Sequence, residues 1–223
     1  MTNPEILYHE KGLFVVNKPF LMLSARDKEG EAGVNEWAFD HLHQPKYWLQ
    51  LQRVDRVAGG LISFAYARRT GTAFQEMQAK RELHKTYLVI VEGKPDDDKA
   101  TLKHFMRKVP GSMRHRAYDN PVKGSKSAEL SYELLETKGD RSLLAVRLFT
   151  GRTHQIRCQL QRIGCTVVGD KKYGKTNALA DQSIALFSHR LSFNLEGEDK
   201  LIEAPYPAER EVWSDFKTPI LDR

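Results

Sequence analysis

Two apolar runs, Gly60–Ala67 and Leu83–Val91, constrain the fold of this chain more than anything else in it. Tyr87-Leu88-Val89-Ile90-Val91 is dense in β-branched and bulky residues, which pack well on a pleated surface, and Gly60–Ala67 reads as a buried strand. A helix is expected between them, with Thr70 as N-cap and Ala73, Phe74 and Met77 on its inner face. Ile6–His9 and Leu13–Asn17 read as strands joined by a turn at Glu10-Lys11-Gly12, and Pro19 ends the second because it has no N–H to pair. Val34–His43 puts Val34, Trp37, Ala38 and Leu42 on one helical face. Ala128–Glu136 and Ser142–Leu148 form a hairpin through Lys138-Gly139-Asp140. Thr153–Ile163 reads as a helix capped by Thr153, with Ile156, Leu160 and Ile163 as its stripe and Gly164 as its stop. A strand over Ile184–Leu195 and a short helix over Ala208–Phe216 close the chain. Strands and helices mix without strict alternation, which predicts an α+β fold on a mostly antiparallel sheet, with residues 1–223 as one domain.

The chain has 223 residues, enough to bury a core. No apolar run is long enough to span a bilayer, and the N-terminus carries an acid and no apolar signal region, so a cytoplasmic protein without membrane attachment is expected. Cys158 and Cys165 match no zinc spacing and are too few for a disulfide scaffold, so they are read as reduced and buried, with no metal. The net charge is +6, but its distribution is more informative than its size. Residues 103–126 hold seven Lys/Arg, among them Lys103, Arg107, Arg114 and Arg116, against the single acid Asp119. Such a stretch attracts a phosphate polymer; it is also what a solvated loop looks like.

Three segments carry candidate chemistry. In Gln52-Arg53-Val54-Asp55-Arg56, at the mouth of the first apolar run, two guanidinium groups flank an acid and favour its ionised form. An ionised, partly desolvated carboxylate serves as nucleophile or base; the same pattern also describes a surface ion pair. Gly151-Arg152-Thr153-His154-Gln155-Ile156-Arg157 opens a helix, and helix N-termini attract anions, so Arg152, Thr153 and His154 are candidate phosphate contacts. Arg157 follows Thr153 by one turn and is expected on the same face, although an ordinary capped helix with a polar side reads identically. Tyr87, in Lys85-Thr86-Tyr87, is suited to stacking or proton transfer, or simply to the core. Phosphate-binding, dinucleotide, zinc-protease and nucleophile-elbow patterns are all missing from the sequence, and His154 and His189 have no partner at metal-ligand spacing.

Taken in order, these segments resemble the RluA-like RNA pseudouridine synthases. That family's H-R-L-D-x-x-T-S-G is matched loosely by Gln52–Gly60, its K-x-Y by Lys85–Tyr87, and its G-R-[TS]-H-Q-[IL]-R fully by Gly151–Arg157. G-D-x-x-Y-G falls on Gly169–Gly174, N-K-P on Asn17–Pro19, and the closing L-x-x-H and A-P elements on Leu186–His189 and Ala204-Pro205. Gln52, Val54, Ala58 and Gly59 depart from the pattern, as does Leu21, where a glycine often stands. The resemblance implies the pseudouridine synthase fold, with a central mixed sheet flanked by helices around a catalytic cleft. It implies no cofactor, and no room for an additional S4-type domain before Ile6.

The resemblance assigns the catalytic aspartate to Asp55, the active-site tyrosine to Tyr87 and the aspartate's basic partner to Arg157. The expected partner is ribosomal or transfer RNA, bound through Arg53, Arg56, Arg152, Thr153, His154, Lys103, Arg107, Arg114 and Arg116 by a monomer with no obligate protein partner. The expected reaction turns one uridine into pseudouridine. The altered loop around Asp55 leaves a second reading, a decayed synthase scaffold that only binds or chaperones RNA.

Overall fold

The computed structural model describes residues 3–174 and 177–221. The chain divides into two compact units. The first holds the residues up to Lys85 together with Phe187–Ala204, and the second holds Thr86–Leu186 and the residues from Pro205 onward.

The first unit starts with a tight hairpin of β1 (Glu5–Glu10) and β2 (Leu13–Lys18). Lys11 and Gly12 turn it with φ of 50° and 76°, and a Cβ on Gly12 would lie 2.4 Å from Cβ of Ala67, so only glycine fits there. α1 (Val34–His41) begins at Gly33, whose N–H donates to the Glu36 carboxylate at 2.8 Å. β3 (Leu49–Gln50) and β4 (Gly59–Ala65) follow, and all seven residues of β4 are buried. β4 pairs antiparallel with β2 along one edge; along the other it pairs with β3 near its end. α2 (Arg68–Lys80) turns Phe74 onto Phe193, with ring centroids 4.8 Å apart.

The chain returns to this unit with β10 (Leu186–Leu195), reached after the strands and helix of the second unit. β10 runs parallel to β4 at Phe187–Ser188 and antiparallel to β11 (Glu198–Glu203). Leu13, Phe14, Val15 and Val16 are wholly buried, as are Leu61, Ile62, Phe64 and Ala65. Each large side chain among them stabilises the fold by about 1.5–3 kcal/mol.

The second unit takes most of β5 (His84–Glu92) and orders its strands β5-β9-β8-β6-β7, with β6 (Lys99–Lys108), β7 (His115–Tyr118), β8 (Lys126–Lys138) and β9 (Arg141–Leu148). All pairings among β6, β7, β8 and β9 are antiparallel. α3 (Gln155–Arg162) packs against β6 and β7, and α4 (Glu211–Ser214) is a single turn near the end.

Several expectations are corrected. Thr70 lies inside α2, where its hydroxyl donates to Lys11 O at 2.7 Å; the N-cap is Ala67. Thr153 caps nothing, because the chain enters α3 through His154 in the left-handed region, φ 56°. Residues 103–126 are not a plain loop: most of β6 and all of β7 lie within them, paired to each other and, for β6, to β8. The closing helix contracts from Ala208–Phe216 to four residues, since Pro207 and Arg210 begin it as a turn. Cys158 and Cys165 are free and buried, as expected.

At Gly60, φ is 100° and a Cβ would lie 2.2 Å from Ser188 O. Gly60→Ala is therefore expected to lower unfolding stability by about 1–3 kcal/mol, measured by denaturant titration.

Candidate active site

Asp55 stands in the segment that leads into β4, and four hydrogen bonds fix that segment. The Ser24 hydroxyl accepts from Val54 N–H at 2.9 Å and donates back to Val54 O. Gln52 Nε2 donates to Leu61 O at 2.8 Å, and Ala58 N–H closes a turn on Asp55 O at 3.0 Å. Gln52, one of the departures from the family pattern, thus ties the loop to β4. Asp55 itself is half-buried.

The flanking arginines do not form the arrangement that the sequence suggests. Arg56 pairs with Glu31 at 2.9 Å and donates to Leu21 O, and Arg53 is exposed. Within this unit, Lys18 lies within electrostatic reach of Asp55, and it is not among the candidates that the sequence offers. Lys18 is wholly buried at the end of β2. Its Nζ donates to Pro19 O and Met22 O at 2.8 Å and to Ala58 O at 2.6 Å, three acceptors for the three protons of an ammonium. Burial pushes its pKa down to about 7, and the Asp55 carboxylate pulls the other way. The only hint in the sequence was the N-K-P match.

The second unit carries Tyr87 and Arg157. Tyr87 is buried at the start of the apolar stretch of β5. Beside it in sequence, Lys85 donates to Gln78 Oε1 at 2.5 Å, and burial lowers its pKa to about 8. Arg157 is 5% exposed and grips Asp170 as a fork, Nε to Oδ2 at 2.6 Å and Nη2 to Oδ1 at 2.8 Å. Asp170 also accepts from the N–H groups of Lys172 and Tyr173, at 3.0 and 3.2 Å. The Arg157 guanidinium lies 5.1 Å from the Tyr173 ring centre.

Tyr173 is in turn a hub. Its oxygen accepts from His115 N–H at 2.8 Å and lies 3.0 Å from His154 Nδ1. Burial raises its pKa to about 12, so it stays a neutral phenol. Asp170 and Tyr173 belong to the Gly169–Gly174 segment, but nothing in its spacing indicates that they hold Arg157.

Gln155 anchors the start of α3. It is buried; its Oε1 accepts from Thr150 and from Arg152 N–H, and its Nε2 donates to Glu129 O. Arg152 is part-exposed, with Nε on Ser127 O at 2.9 Å, and Thr153 is exposed. The shared face expected for Thr153 and Arg157 does not exist, because Thr153 precedes the helix and Arg157 turns inward. His154 and His189 both make hydrogen bonds, His189 Nδ1 lying 2.9 Å from Ala204 O. Lys103, Arg107, Arg114 and Arg116 all fall in or between β6 and β7. Among the described residues, no group of three His, Cys, Asp or Glu could hold a metal ion, and no helix is long and apolar enough to cross a membrane.

Residues 12–162 match the family described as RNA pseudouridylate synthase. An uncharacterized RNA pseudouridine synthase of Haemophilus influenzae is 28% identical over 192 residues, covering 85% of this chain and 82% of the relative. A second uncharacterized RNA pseudouridine synthase, from Chloroflexus aurantiacus, is 32% identical over 166 residues, 73% of this chain and 51% of the relative. Ribosomal large subunit pseudouridine synthase C of Rickettsia bellii is 27% identical over 214 residues, 93% of this chain and 70% of the relative. The solved structure of human RNA pseudouridylate synthase domain containing 4 superposes with a TM-score of 0.72 at 19% identity, covering 91% of this chain and 88% of that one. That likeness is one of fold, and it agrees with the α+β architecture expected from the sequence.

Two outcomes follow from these contacts. Asp170→Ala takes two charge-assisted bonds from a buried guanidinium and is expected to cost about 3–5 kcal/mol in denaturant unfolding. For Lys18, the unfolded chain keeps its proton up to about 10.5 while the folded chain releases it near 7. Between those values the unfolded state binds more protons, so the lysine's contribution makes stability rise with pH. Lys18→Met is expected to remove that rise, read from unfolding curves across the window.

Proposed function

Because this chain belongs to the RNA pseudouridylate synthase family, we propose that it isomerises a specific uridine in structured ribosomal or transfer RNA, with Asp55 as the catalytic carboxylate. The reaction breaks the C1′–N1 bond, turns the uracil and joins C1′ to C5. The C5 hydrogen leaves as a proton and N1 gains one, so composition is unchanged. The target base must first leave its stack, at a cost of about a few kcal/mol that phosphate contacts offset. Arg53, Arg152 and the cations of β6 and β7 are the proposed contacts, with Arg56, Thr153 and His154 beside them.

The observation that carries the reading is the held Asp55 loop. Ser24 and Gln52 restrain the backbone on its N-terminal side, and a caged lysine lies within electrostatic reach. A carboxylate so placed reorganises little when it acts, which is what a nucleophile or base needs. Tyr87 stacks on the uracil and removes the C5 proton after reattachment. The resemblance assigns Arg157 to the carboxylate as its cation, and the Asp170 fork keeps that guanidinium in one orientation. Both units together form the proposed catalytic domain. No cofactor enters this scheme, and the protein acts as a cytoplasmic monomer without an obligate protein partner.

Asp55→Asn preserves the shape of the side chain and removes its charge. It is expected to abolish tritium release from RNA labelled at C5 of uridine, while binding the same RNA as the unaltered protein does. Release at the unaltered rate would remove Asp55 from the mechanism.

A further inference from the structure

Cross-strand partners in the second unit follow two opposite charge rules on one sheet face. Towards the start of β6, opposite charges face each other: Lys99 pairs with Glu133 at 2.7 Å, and Lys103 with Glu129 at 3.7 Å. Four residues further on, Arg107 stands directly opposite Arg116. Like charges opposite each other across a ladder are destabilising, so this end of the face is built less for the fold's own stability than the other end.

The register between these zones is aromatic, with Phe105 opposite Tyr118. Side chains alternate across a strand, so Lys103, Phe105 and Arg107 share one face of β6, and Arg116 and Tyr118 continue it on β7. His104, Met106 and Ala117 point the other way; Met106 and Ala117 join Cys158 of α3 in a buried cluster. α3 therefore covers that second face. On the first face Phe105, Arg107 and Tyr118 are part-exposed and Arg116 is exposed. The Arg107 guanidinium lies 5.8 Å from the Tyr118 ring centre. Arg147 projects on the same face from β9, opposite Ser131, and Arg152 donates to Ser127 O of β8.

We propose that this face of β6 and β7 is a stacking platform for a single-stranded segment of the substrate RNA, with bases on Phe105 and Tyr118 and phosphates on Arg107 and Arg116. The inference rests on the RNA isomerase reading and adds where, and in what form, the RNA lies outside the target uridine. Interleaved rings and guanidinium groups on an exposed sheet suit unpaired bases, whose faces are free to stack. A duplex presents phosphates and hides those faces. The absence of any acid in the Arg107–Arg116 register gives the charge complementarity that an RNA backbone requires.

The test uses the full chain and a fluorescein-labelled oligouridylate, with a self-complementary RNA duplex as comparison, followed by fluorescence anisotropy. A Phe105→Leu/Tyr118→Leu variant keeps apolar bulk and removes the rings. It is expected to weaken oligouridylate binding at least about tenfold and to leave duplex binding unchanged. An Arg107→Gln/Arg116→Gln variant is expected to lower the slope of log affinity against log salt by about 1.4. Thermal unfolding of both variants confirms that they fold. Unchanged oligouridylate binding by the folded ring variant, or equal losses for oligouridylate and duplex, overturns the platform. Tritium release from C5-labelled RNA by the unaltered protein is read alongside. Its absence defeats the isomerase reading, whereas its presence with unaffected variants defeats only the platform.

Discussion

The buried fork between Arg157 and Asp170 organises much of the second unit. A guanidinium and a carboxylate removed from water each lose several kcal/mol of hydration, and the pair is tolerated only because its hydrogen bonds are short and nearly complete. Two bonds join the charges, and two backbone N–H groups complete Asp170. Those amides belong to the turn that delivers Tyr173, whose hydroxyl holds His115 on β7 and lies against His154 at the start of α3. A helix, a turn and an edge strand are thereby fixed to one ion pair, and the arginine that the family resemblance singles out has one orientation.

The first unit solves a related problem with one charge in place of two. Lys18 is buried without a carboxylate in direct contact, and its protons go to three carbonyls, one of them Ala58 O, three residues after Asp55. The backbone that follows the aspartate is gathered around the ammonium, while Ser24 and Gln52 hold the backbone that precedes it. Departures from the family pattern at Gln52 and Ala58 fall on contacts of this frame. Gln52 contributes a side-chain amide and Ala58 only its carbonyl, so both substitutions are compatible with a held loop.

The cations near β6 and β7 show how charge is divided between folding and binding. Arg162 on α3 is taken by Asp119, and Lys103 by Glu129. Arg107 and Arg116 face each other instead, beside two rings, at a cost to the sheet. The net charge of +6 therefore understates how unevenly positive charge is distributed.

The long buried strands and the hairpin turns are legible in the sequence, because apolar runs and glycines with positive φ are constrained locally, whereas Asp55, Tyr87 and Arg157 stand out only through the family resemblance. β6 and β7 are hard to read in the sequence, because the alternation of β6 runs as Lys103-His104-Phe105-Met106-Arg107, where charge on the exposed face masks the period. Thr153 reads as a cap because cap preference is statistical, while in the folded chain His154 takes the left-handed conformation at the start of α3, with its ring against Tyr173. Which charges meet is set by the folded arrangement: Arg56 with Glu31, Arg157 with Asp170, Lys18 with three carbonyls. Pairing of charges depends on distance and burial after folding, and separations along the chain of up to forty residues carry no record of either.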